Sequence, residues 1–171
     1  MVRIFSIDPG TVNLGWAVME RHGDRVRVDS CGVCNLRTAA KSMDSTKSVT
    51  DMAWLAWVLA KTFRNVIDTC RYVVVEYQMK GPCKFLEVAV RAVLCDKAVL
   101  IMPARVKRHL KFKKGLTYRQ RKKTAVVKAK KWMTRRQIGQ MEDVKKADDI
   151  ADAVCNGAFY LRCYVQPKIG S

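Results

Sequence analysis

Val2-Arg-Ile-Phe-Ser-Ile-Asp8, closed by Pro9-Gly10 and followed by Leu14-Gly-Trp-Ala-Val-Met-Glu20, is the stretch that decides the architecture. Both runs are rich in strand-favouring residues, and the Pro-Gly pair punctuates the chain between them. His22-Gly23-Asp24 supplies a second turn. Beyond it, residues 25–30 alternate Val26 and Val28 with charged neighbours, as a half-exposed strand does. The chain therefore opens as three antiparallel strands.

Downstream the periodicity changes. Residues 35–47 are polar and small and read as a loop. Over residues 48–68, Met52, Leu55, Leu59, Phe63, Val66 and Ile67 recur at helical spacing, with Trp54 and Trp57 extending the stripe toward a core or a subunit interface. Arg71-Tyr-Val-Val-Val-Glu76 is a β-branched run of the kind found in strands buried on both faces, and it ends on a carboxylate. Gly81-Pro82 breaks the chain, residues 85–94 are helical in pattern, and Ala98-Val-Leu-Ile-Met102 is a further buried strand stopped by Pro103. After Gly115, residues 117–133 suit a surface helix rich in Lys, Ala and Val. Residues 146–164 form a last helix whose buried face carries Ala147, Ile150, Ala151, Val154, Ala158 and Leu161. The expectation is an α/β protein with a mixed five-stranded sheet, three antiparallel strands then two parallel, flanked by helices in one domain over residues 1–171.

Composition narrows the function. The 171 residues are 49% apolar, enough for a core, and no window approaches 18 uninterrupted apolar residues. Arg3 interrupts the start before an apolar signal region could form, so neither a membrane span nor a secretory signal is expected. Seven cysteines, an odd number, fit a reducing intracellular compartment. Cys31 and Cys34 make a C-x-x-C without the second pair a structural zinc would need, and they read as small thiols on a strand. The net charge is +18. Residues 97–141 hold 16 Lys/Arg and no Asp/Glu, while the rest of the chain carries 17 basic against 15 acidic residues. A segment so charged, without an apolar anchoring face, points to nucleic acid rather than to a membrane. The candidate phosphate-binding side chains are Lys107, Arg108, Lys111, Lys113, Lys114, Arg119, Arg121, Lys122 and Lys123.

The carboxylates supply the chemistry. Asp8 ends the first strand and Glu76 the central one. Asp149 and Asp152, three apart, share a face of the final helix that Asn156 continues, and Asp148 falls on a different face. If the strand ends meet that helix, several acids converge. Such a cluster is prohibitive to bury without cations, and an all-oxygen donor set suits Mg²⁺, with Mn²⁺ as a substitute. Two ions per site are the known solution to in-line phosphodiester hydrolysis. No small-molecule cofactor is expected.

Ser6-Ile-Asp-Pro-Gly-Thr-Val-Asn-Leu-Gly-Trp-Ala-Val18 resembles the first motif of the RuvC-type Holliday junction resolvases, within the RNase H-like superfamily. Val74-Val-Glu-Tyr-Gln78 resembles the second motif and Lys146-Ala-Asp-Asp-Ile-Ala-Asp-Ala153 the third. Met102-Pro-Ala-Arg-Val-Lys-Arg108 and Arg121-Lys-Lys-Thr-Ala-Val126 are similar to the family's basic motifs and set Lys107 and Lys123 where its lysines approach DNA. The Glu-x-Gln sequence and the basic composition lean toward the resolvases of large DNA viruses such as poxviruses and iridoviruses. The resemblance implies an RNase H-like fold and a Mg²⁺-dependent endonuclease. It also implies a homodimer that nicks four-way DNA junctions symmetrically in recombination or concatemer resolution, with Asp8, Glu76, Asp149 and Asp152 as metal ligands. It implies, for a viral protein, a place in the host-cell cytoplasm or nucleus where DNA replicates. Tyr77 and Phe85 are the aromatics near the catalytic strand that could open a junction, and burial would explain either equally well. Two alternatives stay open: a nuclease of the same fold acting on RNA or an RNA–DNA hybrid, and a non-catalytic junction-binding protein. An actin-like ATPase would need a second Gly-rich phosphate loop, which the nine scattered glycines do not provide.

Overall fold

Strand β1 (Val2–Asp8) lies at the middle of the sheet, antiparallel to β2 (Leu14–His22) on one side and parallel to β4 (Tyr72–Glu76) on the other. Strand β3 (Arg25–Cys34) closes one edge against β2, and β5 (Ala98–Ile101) closes the other in parallel with β4. The order β3-β2-β1-β4-β5 is the mixed five-stranded sheet expected from the sequence. These features come from a computed structural model that describes residues 1–165; residues 166–171 of the expected domain lie outside the described residues.

Alternation along the strands builds two cores. Phe5, Ile7, Val18, Val73 and Val75 face helices α1 (Leu36–Met43), α2 (Met52–Thr62), α3 (Arg64–Thr69) and α4 (Pro82–Leu94). Ile4, Ala17, Met19 and Val74 face α5 (Pro103–His109), α6 (Tyr118–Ala129), α7 (Arg135–Glu142) and α8 (Ala147–Cys163). Helix α8 approaches β1 and β2 closely where small residues face the sheet. Ser6 donates its hydroxyl proton to the Ala153 carbonyl at 2.7 Å, and a Cβ on Gly157 would stand 2.6 Å from the Met19 sulfur.

The structure departs from the sequence expectation in its short helices. Residues 35–47 are not all loop: Asn35 accepts from the Thr38 N–H and starts α1, which buries only Leu36 and Ala40, too few positions to show a period. The stripe over residues 48–68 is two helices. Asp51 caps α2, and the chain turns at Phe63, whose ring packs 5.0 Å from Phe5 and 5.4 Å from Trp16 and so favours a break over a continuous helix. The basic segment likewise holds three helices, α5, α6 and α7, where one was expected. Thr117 with Gln120 and Thr134 with Gln137 form capping boxes that start the last two. Cys31 and Cys34 lie on β3 as half-buried thiols, and burial pushes Cys31 up to about 11. Among the described residues no helix is long and apolar enough to cross a membrane.

Candidate active site

Register brings the first two acids together. Ile7 pairs with Val75 in the parallel β1–β4 ladder, so the residues that follow, Asp8 and Glu76, leave adjacent strands at the same end of the sheet. The carboxyl ends of parallel strands are where α/β sheets place their ligands. The third acid comes through a glycine. Asp8 pairs with Gly15 across β1–β2, and an added Cβ on Gly15 would stand only 2.1 Å from the Asp149 carbonyl oxygen. Only a residue lacking that carbon lets the first turn of α8 settle onto the sheet beside Asp8. Asp152 follows one turn later. Asn156, a further turn on, donates to Glu76 at 2.7 Å and ties the helix to the central strand.

The acids feel one another. Burial first, then the charges of Glu76, Asp152 and Asp149, hold the Asp8 carboxyl well above the usual range against the opposing pull of Lys122. Burial raises Glu76 as well, with Asp152 adding to it and the Asn156 hydrogen bond opposing. Asp149 is raised by burial and by its neighbour Asp148. The cation these groups surround is Lys122 of α6. Its ammonium lies 2.7 Å from Asp152, 3.2 Å from Asp148 and 3.7 Å from Asp149. Burial lowers the Lys122 pKa, but the pull of Asp152, Asp8 and Asp148 outweighs it and keeps the amine firmly charged. Among the described residues no three Asp, Glu, His or Cys side chains already stand as ligands about one point; the three acids of α8 are instead gathered on the lysine. An excess of carboxylates over cations, all with oxygen donors, fits a hard divalent metal.

Two findings differ from the expectation. Asp148, expected on another helical face, reaches Lys122 more closely than Asp149 does, because the lysine ammonium sits within ion-pair reach of acids in both the first and second turns of α8. Lys122, grouped with the phosphate-binding cations, turns inward to the acids, whereas Lys111, Lys113, Lys114, Arg119, Arg121 and Lys123 are exposed. Lys107 and Arg108 are also exposed on α5. Lys107 borders, with Glu76, Tyr77, Gln78 and Met102, an open concavity of about 500 Å³ on one flank of the acids. Tyr118, Arg119, Lys123 and Lys145 border another of about 340 Å³ that reaches Lys122 and Asp148. Phe85 is 67% exposed, so burial does not account for it, while Tyr77 is half-buried with the Lys84 ammonium 4.2 Å from its ring centre. Sequence reasoning gave no role to the Gln78 side chain, which donates to Asp8 at 3.3 Å; its place two residues after a strand-ending acid was the available signal.

The family described as Poxvirus A22 protein matches residues 2–163. The chain belongs to this poxvirus family. No curated protein sequence matches it. Solved structures do. A fowlpox virus resolvase, solved in complex with substrate Holliday junction DNA, is 19% identical with a TM-score of 0.69, covering 96% of this chain and 100% of its own. The yeast mitochondrial Holliday junction resolvase is 16% identical with a TM-score of 0.70, over 94% of this chain and 79% of its own. Thermus thermophilus RuvC, in complex with a Holliday junction substrate, is 18% identical with a TM-score of 0.54, over 94% and 96%. At these identities the likeness is one of fold, and it establishes the RNase H-like architecture of this member of the poxvirus family.

Proposed function

We propose that the protein is a structure-selective DNA endonuclease that resolves four-way junctions by paired nicks. The observation that carries this reading is the meeting of Asp8, Glu76, Asp149 and Asp152 at the carboxyl ends of two parallel strands, between clefts rimmed by a strongly basic segment. Family membership and the fold shared with three junction resolvases support it. Those four residues are the proposed ligands of two Mg²⁺ ions, for which Mn²⁺ would substitute. Bound there, divalent ions supply a water of lowered pKa and a counter-charge for the leaving 3′ oxygen.

The chain's own residues do the rest. Asn156 orients Glu76, Gln78 orients Asp8, and the backbone packing at Gly15 fixes Asp149. Lys122 compensates the acids while no metal is bound, and must yield some of its contacts when one is. Lys107, Arg108, Lys111, Lys113, Lys114, Arg119, Arg121 and Lys123 hold phosphates of the junction arms. Because a four-way junction presents two equivalent strands, the active species is a homodimer with two identical sites facing it. The enzyme works inside the host cell where viral DNA replicates.

Strand mapping on a synthetic four-way junction tests the reading directly. Symmetric nicks with Mg²⁺ and none with a chelator are expected. Cleavage confined to an RNA–DNA hybrid, or junction binding without any nicking, overturns it. Asp149→Asn should keep junction binding and lose cutting, because it removes a ligand charge without altering the basic rim.

A further inference from the structure

Glu87 is a completely buried carboxylate for which nothing above has a use. It lies on α4, across the sheet from α8, and a charge there survives only if it is paired. Its Oε2 accepts from the Lys84 ammonium at 2.7 Å and from the Gln78 backbone N–H at 3.2 Å, while Arg91 stands 3.6 Å from Oε1. The same Lys84 ammonium lies over the Tyr77 ring. Helix α4 therefore grips both residues that follow Glu76. From the other side the Tyr77 N–H is donated to the Ile101 carbonyl of β5 at 2.8 Å. With its backbone held between α4 and β5, Gln78 extends its side-chain amide to Oδ1 of Asp8.

We propose that Glu87 is a positioning residue for the acid cluster: it fixes the exit of β4 and, through the Gln78 amide, sets the orientation in which Asp8 meets a divalent cation. This rests on the reading of the acids as a metal centre. An apolar side chain of the same volume would fill the space beneath the Tyr77–Gln78 segment at comparable or better stability, so packing alone gives no reason for a charge there. A carboxylate gives the Gln78 N–H an acceptor at one place only. The amide it positions engages one Asp8 oxygen and leaves the second free for a cation, and hydrogen-bonded supports of this kind are worth roughly 10–100-fold in metal affinity.

The test is Mn²⁺ binding to the full-length protein by isothermal titration calorimetry, with the metal alone as probe. Gln78→Leu and Glu87→Leu should each weaken Mn²⁺ binding about tenfold. The double variant should be no weaker than either single one, because the two residues act in one chain of contacts. Glu87→Gln, which keeps an oxygen to accept from Gln78, should recover most of the affinity. Parent-like binding by Glu87→Leu, or additive losses in the double variant, overturns the proposal. If Glu87→Leu fails to fold, Gln78→Leu and Glu87→Gln decide: parent-like affinity in Gln78→Leu overturns it, and a loss in Gln78→Leu with near-parent affinity in Glu87→Gln supports it. A parent protein that binds no Mn²⁺ sinks the metal-centre reading itself, whereas binding by the parent with unchanged variants sinks only the role of Glu87.

Discussion

Gly15 couples strand pairing to the position of an acid, and a single carbon tests the coupling. Alanine there would drive its Cβ into the Asp149 carbonyl, and because both sides are backbone, neither can turn away. Gly15→Ala should cost about 3 kcal/mol, at the upper end of overpacking penalties, and should reduce nicking further by moving Asp149 from Asp8. Thermal unfolding and single-turnover cleavage check the two parts; parent-like values of both would remove Gly15 from this role. Glu20 shows a different kind of constraint. Its buried carboxylate is held below the ordinary value of 4.5, first by the hydrogen bond from Arg27, then by His22 and the charge of Arg3, against the effect of burial. A carboxyl with a depressed folded-state pKa adds stability that is complete above its unfolded value and disappears as pH falls through the folded one. The parent should therefore lose stability below about pH 4.5 more steeply than Glu20→Gln, which should be about 2 kcal/mol less stable at neutral pH. Melting temperatures across that range decide, and parallel curves contradict the linkage.

Between elements, the decisive contact is that of α6 with α8 through Lys122. Replacing it by methionine leaves Asp148, Asp149 and Asp152 facing Asp8 and Glu76 with no internal cation. Lys122→Met should melt below the parent in chelator, and Mg²⁺ should stabilise it more than it stabilises the parent, since the ion no longer competes with an ammonium. Equal gains in the two proteins would show that the lysine and the metal do not share the site. This contact also marks where the sequence stops being informative. The strands were legible because β-branched runs and Pro-Gly breaks are local signals, and the register that joins Asp8 to Glu76 follows from two parallel neighbours in a sheet. The α8 face was legible because i, i+3 spacing is geometry. Which lysine of Lys122-Lys123 turns inward was not, because adjacent residues of one type differ only in their angle about an axis set by tertiary packing. Short helices such as α1 and α7 hid for a related reason: each buries too few side chains for a period to emerge, and capping decides where it starts.

Across the whole molecule, charge is sorted by surface. The acids of the site are drawn inward by the sheet, whereas the excess positive charge of residues 97–141 stays on the helices that border the two clefts. Binding of a polyanion to such a rim releases condensed counterions, so affinity should fall steeply with salt, by a slope of about 0.9 for each phosphate neutralised on duplex DNA. The inward and outward lysines of α6 then make opposite predictions. Lys123→Ala should weaken junction binding and flatten the salt slope by about one unit, because its exposed ammonium stands on the rim. Lys122→Ala should leave the slope near that of the parent, because its ammonium is already neutralised by Asp148 and Asp152. Measuring both by fluorescence anisotropy in chelator, where no divalent ion competes with Lys122 for the acids, over a range of salt separates a lysine that serves the phosphates from one that serves the acids. Identical slopes for the two variants would mean that the rim and the centre are not divided in this way.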